Sequence, residues 1–231
     1  MRAIRFERFG PPAEVLHLMD VPAPEPGPGQ VRLRLTHRPI NPSDLLTVSG
    51  EYGALPRLPA TPGFEGVGRV EALGEGTRGI APGMRVVPLS AGGTWRESAV
   101  ADAAMLVPVP DAISDAVAAQ FVVNPVTAWV MLQEELKLQP GDWLVQTAAG
   151  STLGRLVIQL GRLRGYRTIN LVRRPEQVDE LLALGADAAF ATGDGDVVER
   201  IKELTDGRGA AAALDAVGGE TGALALRALR P

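Results

Sequence analysis

The sequence predicts an α/β protein: a compact, twisted β-domain followed by a parallel sheet built from strand–helix–strand units. Two observations carry that expectation. Up to Asp111 the chain consists of short alternating runs separated by Pro and Gly. Beyond it, short apolar strands of three to seven residues alternate strictly with amphipathic helical stretches. Period-two runs fit half-buried antiparallel strands, and regular strand–helix alternation fits right-handed βαβ crossovers. The expected division is residues 1–112 and 113–231.

In the first part, Val31-Arg32-Leu33-Arg34-Leu35 alternates as a strand should. The runs from Gly66 to Leu73 and from Arg85 to Leu89 read the same way. Pro22 to Pro28 is an extended connection, because proline disfavours helix both at its own position and at the residue before it.

In the second part, Ser114 to Val123 and Val126 to Leu136 read as two helices broken at Asn124-Pro125. Trp143 to Val145 is the next strand, followed by a helix from Leu153 to Arg164 with apolar residues at Leu153, Leu156, Val157, Leu160 and Leu163. Thr168 to Val172, Ala186 to Phe190 and Ala210 to Ala216 are expected strands. Glu176 to Leu184, Val197 to Leu204 and Thr221 to Leu229 are the helices between and after them. That makes four parallel strands where a doubly wound nucleotide fold has about six. The sequence stops at Pro231, just after a helix. The expectation is a truncated sheet.

Composition narrows the function classes. The chain has 231 residues, 45% apolar and 22% charged, with net charge −4. That balance argues against nucleic acid or an anionic membrane as the main partner. No apolar run is long enough to span a bilayer, and the N-terminus alternates rather than forming a signal-peptide block, so the cytoplasm is the expected compartment. Cysteine is absent, which removes disulfides and thiolate chemistry, and only His17 and His37 offer imidazole. No metal site is expected, since zinc needs three or four such ligands.

The candidate cofactor signal is the turn Gln146 to Gly154. Counting back from Gly154, the G-x-G-x-x-G positions hold Ala149, Ser151 and Gly154. The motif is weak alone, but a strand precedes it and an apolar helix follows, the setting in which helix-end amides face a pyrophosphate. An NAD enzyme would place Asp or Glu at the end of the second strand. Here Arg173-Arg174 stand there. Two guanidinium groups suit a 2′-phosphate, so NADPH is the expected cofactor.

Several segments together resemble the medium-chain dehydrogenase/reductases. They are Asn41-Pro42-Ser43-Asp44, Gly50-Glu51-Tyr52-Gly53 and Pro62-Gly63-Phe64-Glu65-Gly66-Val67-Gly68. Four more are similar to the mitochondrial-type trans-2-enoyl thioester reductase branch. These are Gly93-Thr94-Trp95-Arg96, Val123 to Ala128, Leu138 to Asp142 and Arg167 to Arg173. The resemblance covers essentially the whole chain. It implies a GroES-like substrate domain followed by a Rossmann domain, with NADPH delivering hydride to the β-carbon of a 2-enoyl thioester. A tyrosine that protonates the α-carbon maps onto Tyr52. Asn124, the turn Gly150, Ser151, Thr152 and Leu153, and Arg173 map onto the cofactor-holding part, joining Gly154 and Arg174 as cofactor candidates; Thr152 departs from the glycine more usual there. Zinc-containing members carry a cysteine near Asn41. The resemblance also implies a homodimer at full length.

Tyr52 is chemically apt, because a phenol on a Gly-flanked loop can give a proton to an enolate, although from spacing alone an aromatic loop plug is the commoner case. Tyr166, in a helix-to-strand turn, packs or faces solvent. Trp95 and Asn41 are the candidate substrate-pocket residues, Trp95 reading equally as core. Glu65 reads as a hydrogen-bond acceptor rather than a base. The expected substrate is a small acyl thioester. A quinone or enone is the alternative of the same class, and a non-catalytic NADPH-binding protein the alternative of another.

Overall fold

The computed structural model describes residues 1–231, which divide into two compact units, Met1–Val123 and Asn124–Pro231. In the first unit a short hairpin, β1 (Arg2–Arg5) and β2 (His17–Asp20), flanks the one-turn helix α1 (Pro12–Val15). A five-stranded antiparallel sheet follows, built from β3 (Gln30–His37), β4 (Val67–Leu73), β5 (Arg85–Pro88), β6 (Ser98–Asp102) and β7 (Leu106–Pro108) in the order β6-β3-β4-β5-β7. Helix α2 (Pro42–Ser49) lies between β3 and β4 in sequence, and α3 (Asp115–Ala118) follows β7. The alternation in β3 works as the sequence implies. Val31, Leu33 and Leu35 point into a core with Val70, Val86 and Ala99, while Arg34 is exposed.

The expected boundary at residue 112 does not coincide with the division after Val123, and the reason is a set of ties. Arg85 Nη2 meets Asp115 Oδ1 at 2.7 Å, and the Thr36 hydroxyl donates to Asp115 Oδ2 at 2.9 Å. Ala118 and Ala119 pack with Val67 and Val87. The segment after Asp111 is therefore held on the β-sheet.

The second unit opens with α4 (Val123–Trp129), whose first residue closes the first unit, and continues into a π-helical turn at Val130–Glu135. The expected break at Asn124-Pro125 is absent. Pro125 sits in the first turn of α4, where its missing N–H has no partner to lose, so the helix starts there instead of ending. The sheet comprises β8 (Trp143–Gln146), β9 (Arg167–Val172), β10 (Ala188–Ala191) and β11 (Ala212–Leu214), all parallel, in the order β10-β9-β8-β11. The last strand is three residues long, shorter than the expected Ala210 to Ala216, because Asp215 turns its side chain back onto its own loop.

Four helices connect and cover the strands: α5 (Thr152–Arg164), α6 (Gln177–Leu184), α7 (Val197–Leu204) and α8 (Gly219–Arg227). Successive residues of β8 bury on opposite faces. Val145 packs with Ile201 of α7 and Ala225 of α8. Leu144 packs with Val157 of α5 and Leu132. Helices on both faces of a parallel sheet make it doubly wound. Two buried amides cross its centre. Gln146 Nε2 donates to Asn170 Oδ1 at 2.6 Å, and Asn170 Nδ2 donates to the Ala188 carbonyl at 2.9 Å.

Candidate functional site

The order β10-β9-β8-β11 puts a topological switch point between β8 and β11. Connections leave it in opposite directions, and a crevice opens at the carboxyl ends of the strands. A cavity of about 520 Å³ lies there, reached by residues after all four strands: Gly150, Ser151, Arg173, Arg174, Thr192 and Val217 are among them.

The turn after β8 is shaped by close approach. Ala148 adopts φ +48°. A Cβ on Gly154 would lie 2.5 Å from the Ala149 carbonyl oxygen, so only glycine lets α5 seat against the strand end. Ser151 caps α5, its Oγ accepting from the Gly154 N–H at 3.1 Å. The amides of Thr152 and Leu153 have no i−4 partner in the helix and stand at its positive end. Thr152 is exposed, so its side chain does not block that end.

Arg173 and Arg174 follow β9, both exposed and neither in an ion pair. The nearby Arg155 is already engaged, donating to the Gly150 carbonyl at 3.1 Å and pairing with Glu180 at 2.8 Å. No acidic side chain lines the cavity. Guanidinium groups without ion pairs, helix-end amides and the Gly150 turn thus meet at one cavity, a combination whose charge and geometry suit a phosphate group.

One contributor escaped the sequence reading. Asp215, beyond β11, accepts the Thr147 hydroxyl at 2.7 Å and the Val217 and Gly218 amides at 3.0 Å each. The Thr147 hydroxyl, with the amides adding to it, holds its carboxyl below the usual carboxylate range. The pair fixes the loop at the switch point. Its signal was an Asp ending an apolar strand just before Gly218-Gly219.

In the first unit, Tyr52 lies on the loop after α2, 43% exposed, its ring 5.6 Å from that of Phe64 and tilted 48° to it. Tyr166 is buried instead, its hydroxyl without a partner and its pKa pushed up to about 12 by that burial against the opposing pull of Arg164. It packs, and it is a poor acid at neutral pH.

Asn41 and Trp95 are each held by their own contacts in the first unit. Trp95 donates to the Pro39 carbonyl at 3.2 Å and walls a 660 Å³ groove with Ile4 and Leu18. Asn41 is buried, its Nδ2 donating to Glu65 Oε1 at 2.9 Å. Glu65, 1% exposed, also accepts the Val122 and Val123 amides on Oε2 at 3.1 and 2.8 Å. It acts as an acceptor at the start of α4. Asp44 accepts the Asn41 amide at 2.7 Å; burial pushes its pKa up, opposed by the Asn41 and Phe64 amides and reinforced by Glu65. Asn124 stands beyond, in the first turn of α4. No three His, Cys, Asp or Glu side chains converge as a metal-holding group.

A doubly wound parallel sheet with a cavity at its switch point, preceded by an antiparallel β-unit, is the architecture of a dehydrogenase-type α/β protein. Two family profiles match: residues 27–111 the alcohol dehydrogenase GroES-like domain, and residues 152–231 the zinc-binding dehydrogenase family. A provisionally named NADPH:quinone reductase of Bacillus thuringiensis is 41% identical with TM-score 0.94, covering 100% of this chain and 70% of that one. The Escherichia coli quinone oxidoreductase complexed with NADPH is 28% identical with TM-score 0.89, over 100% and 70%. The mitochondrial enoyl-[acyl-carrier-protein] reductase of Rattus norvegicus is 39% identical over 236 residues, 100% of this chain and 63% of the relative's length. The chain belongs to the medium-chain dehydrogenase/reductase superfamily. It spans 63% of the length of that curated relative. No helix is long and apolar enough to cross a membrane.

Proposed function

We propose that this chain is the substrate unit and the first half of the cofactor unit of an NADPH-dependent 2-enoyl thioester reductase, homodimeric at full length and cytoplasmic. The observation that carries the cofactor reading is the acid-free cavity at the switch point, where Arg173 and Arg174 stand without ion pairs beside Gly150 and the α5 N-terminus. When bound, NADPH supplies a hydride. Arg173 and Arg174 hold the 2′-phosphate. The Thr152 and Leu153 amides, with Gly154 seating the helix, receive the pyrophosphate. Asn124 belongs to the same cofactor-holding set.

Tyr52 is the proton donor. Its exposed phenol is held in place by Phe64 on a Gly-flanked loop, and Tyr166 is withdrawn into the core. The phenol would give its proton to the α-carbon of the substrate enolate and recover one from solvent, a contribution of about 10²–10⁴-fold for a positioned acid. Trp95, held on the Pro39 carbonyl, and Asn41, held on Glu65, belong to the substrate side.

Reduction of a quinone is a second reading, favoured by the likeness to quinone reductases. Turnover of crotonyl thioester and of a quinone by the full-length protein with NADPH separates them. Thioester reduction that falls by the expected factor in Tyr52→Phe, with NADPH binding unchanged, is the result expected. Quinone turnover indifferent to Tyr52→Phe supports the second reading instead, since a quinol anion takes its proton from water. NADPH binding with neither turnover makes the protein a non-catalytic binder.

A further inference from the structure

The cavity at the switch point contains a polar group that neither the fingerprint nor the arginines account for. Gln177 is the first residue of α6 and lines the cavity with Gly150, Arg173 and Arg174. Its backbone N–H donates to the Arg174 carbonyl at 3.1 Å. The connection from β9 is thus one tight turn, and Gln177 stands on the same rim as the two guanidinium groups.

Its side chain is positioned from the other side as well. A Cβ added to Gly150 would fall 2.3 Å from Gln177 Nε2, so the carboxamide lies directly over the glycine of the phosphate turn. One helical turn further along α6, Glu180 pairs with Arg155, which in turn donates to the Gly150 carbonyl. That clamp ties the first turn of α6 to Gly150. The carboxamide makes no hydrogen bond within the chain. Of the other polar side chains on the lining, the Ser151 hydroxyl is taken by its capping bond.

We infer that Gln177 reads the 2′ position of the adenosine ribose and sets how sharply the chain separates a phosphorylated from an unphosphorylated dinucleotide. This rests on the nicotinamide-dinucleotide reading above. The two arginines supply attraction, but they are long, exposed and screened by salt. Gln177 supplies a short neutral group over Gly150, at the start of a helix tied to that glycine through Glu180 and Arg155. A carboxamide is ambidextrous: its NH₂ donates to a phosphate oxygen, and its carbonyl accepts from a ribose hydroxyl. The residue therefore favours the 2′-phosphate without excluding the 2′-hydroxyl, as an acid in the same place would favour the hydroxyl and repel the phosphate.

The test uses the full chain and two probes that contain only the adenosine end, 2′,5′-ADP and 5′-AMP, titrated calorimetrically. Wild type is expected to prefer 2′,5′-ADP. Gln177→Glu should weaken 2′,5′-ADP by about 10- to 100-fold, the worth of a hydrogen bond to a charged group, and leave 5′-AMP equal or tighter. Gln177→Lys should keep or tighten 2′,5′-ADP with a steeper salt dependence. Unchanged 2′,5′-ADP affinity in Gln177→Glu and Gln177→Ala, while Arg173→Ala loses it, overturns the assignment and leaves the cofactor reading standing. Equal loss of both probes with a lowered melting temperature makes Gln177 structural and overturns it too. Equal affinity of wild type for the two probes overturns the cofactor reading and the assignment together.

Discussion

Glu65 in the first unit and the Arg173–Arg174 pair in the second are treated oppositely by the fold. Glu65 is a buried charge whose two oxygens accept three hydrogen bonds, from Asn41 and from the Val122 and Val123 amides. The arginines are exposed charges without an ion pair, at the mouth of a cavity that holds no acid. A buried charge survives only where its partners are internal, because desolvation is costly. An exposed charge without a partner costs little and stays available. The comparison separates a polar group satisfied inside the chain, which holds the fold, from groups left open to whatever enters the cavity.

The largest test of this contrast is Glu65→Ala. It removes the acceptor of three hydrogen bonds, one of them buried and two part-buried, and should lower stability by about 3–5 kcal/mol, read from urea denaturation. An unchanged midpoint would break the comparison at its first term. Next comes Gly154→Val. Its new side chain meets the Ala149 backbone, at 2.5 Å for the Cβ alone, and overpacking of that kind costs roughly 1–3 kcal/mol. NADPH binding should be lost with it, since the helix end moves; a calorimetric titration that still shows tight binding would separate the turn from the cofactor.

Arg173→Ala reverses the pattern. Stability should stay within about 0.5 kcal/mol of wild type, while NADPH weakens by about 10- to 100-fold and NADH much less. Equal weakening of both cofactors would mean that the guanidinium does not meet the 2′-phosphate.

The smallest effect is a pH dependence at Asp44. Burial raises its pKa above the ordinary 3.8 in the folded chain. Its proton is then held more readily folded than unfolded, so this group's contribution to stability falls as pH rises from 3.8 through the raised pKa, and levels off above it. Asp44→Asn does not titrate. The stability difference between the two proteins should therefore change across that window in favour of the variant, and a constant difference from pH 4 to 7 would refute the reading.

What the sequence made legible was local. Period-two alternation in Val31 to Leu35, the apolar spacing in Leu153 to Arg164 and the double arginine after β9 all lie within one element or its end. What it hid was long-range or stereochemical. The Glu65 network joins residues 24, 57 and 58 positions apart. Asn124-Pro125 looked like a break because proline ends helices more visibly than it begins them, and nothing in Val130–Glu135 announces a π-helical turn. Gln177 carries no charge and heads an ordinary helix, so only its position over Gly150 singles it out.

The two amides at the centre of the second sheet bear on how its strands find their alignment. β8 and β10 are mostly apolar, and β9 adds Ile169, Leu171 and Val172, so for these side chains sliding one strand by two residues returns the same face to the same side with little change in hydrophobic burial. Gln146 stands opposite Asn170, and Asn170 reaches the Ala188 carbonyl. A slipped alignment would bury those carboxamides against aliphatic neighbours with nothing to bond to. The pair works as a key cut for one lock position, and that position sets where the carboxyl ends of the strands, and with them Thr147 and Arg173, come to rest.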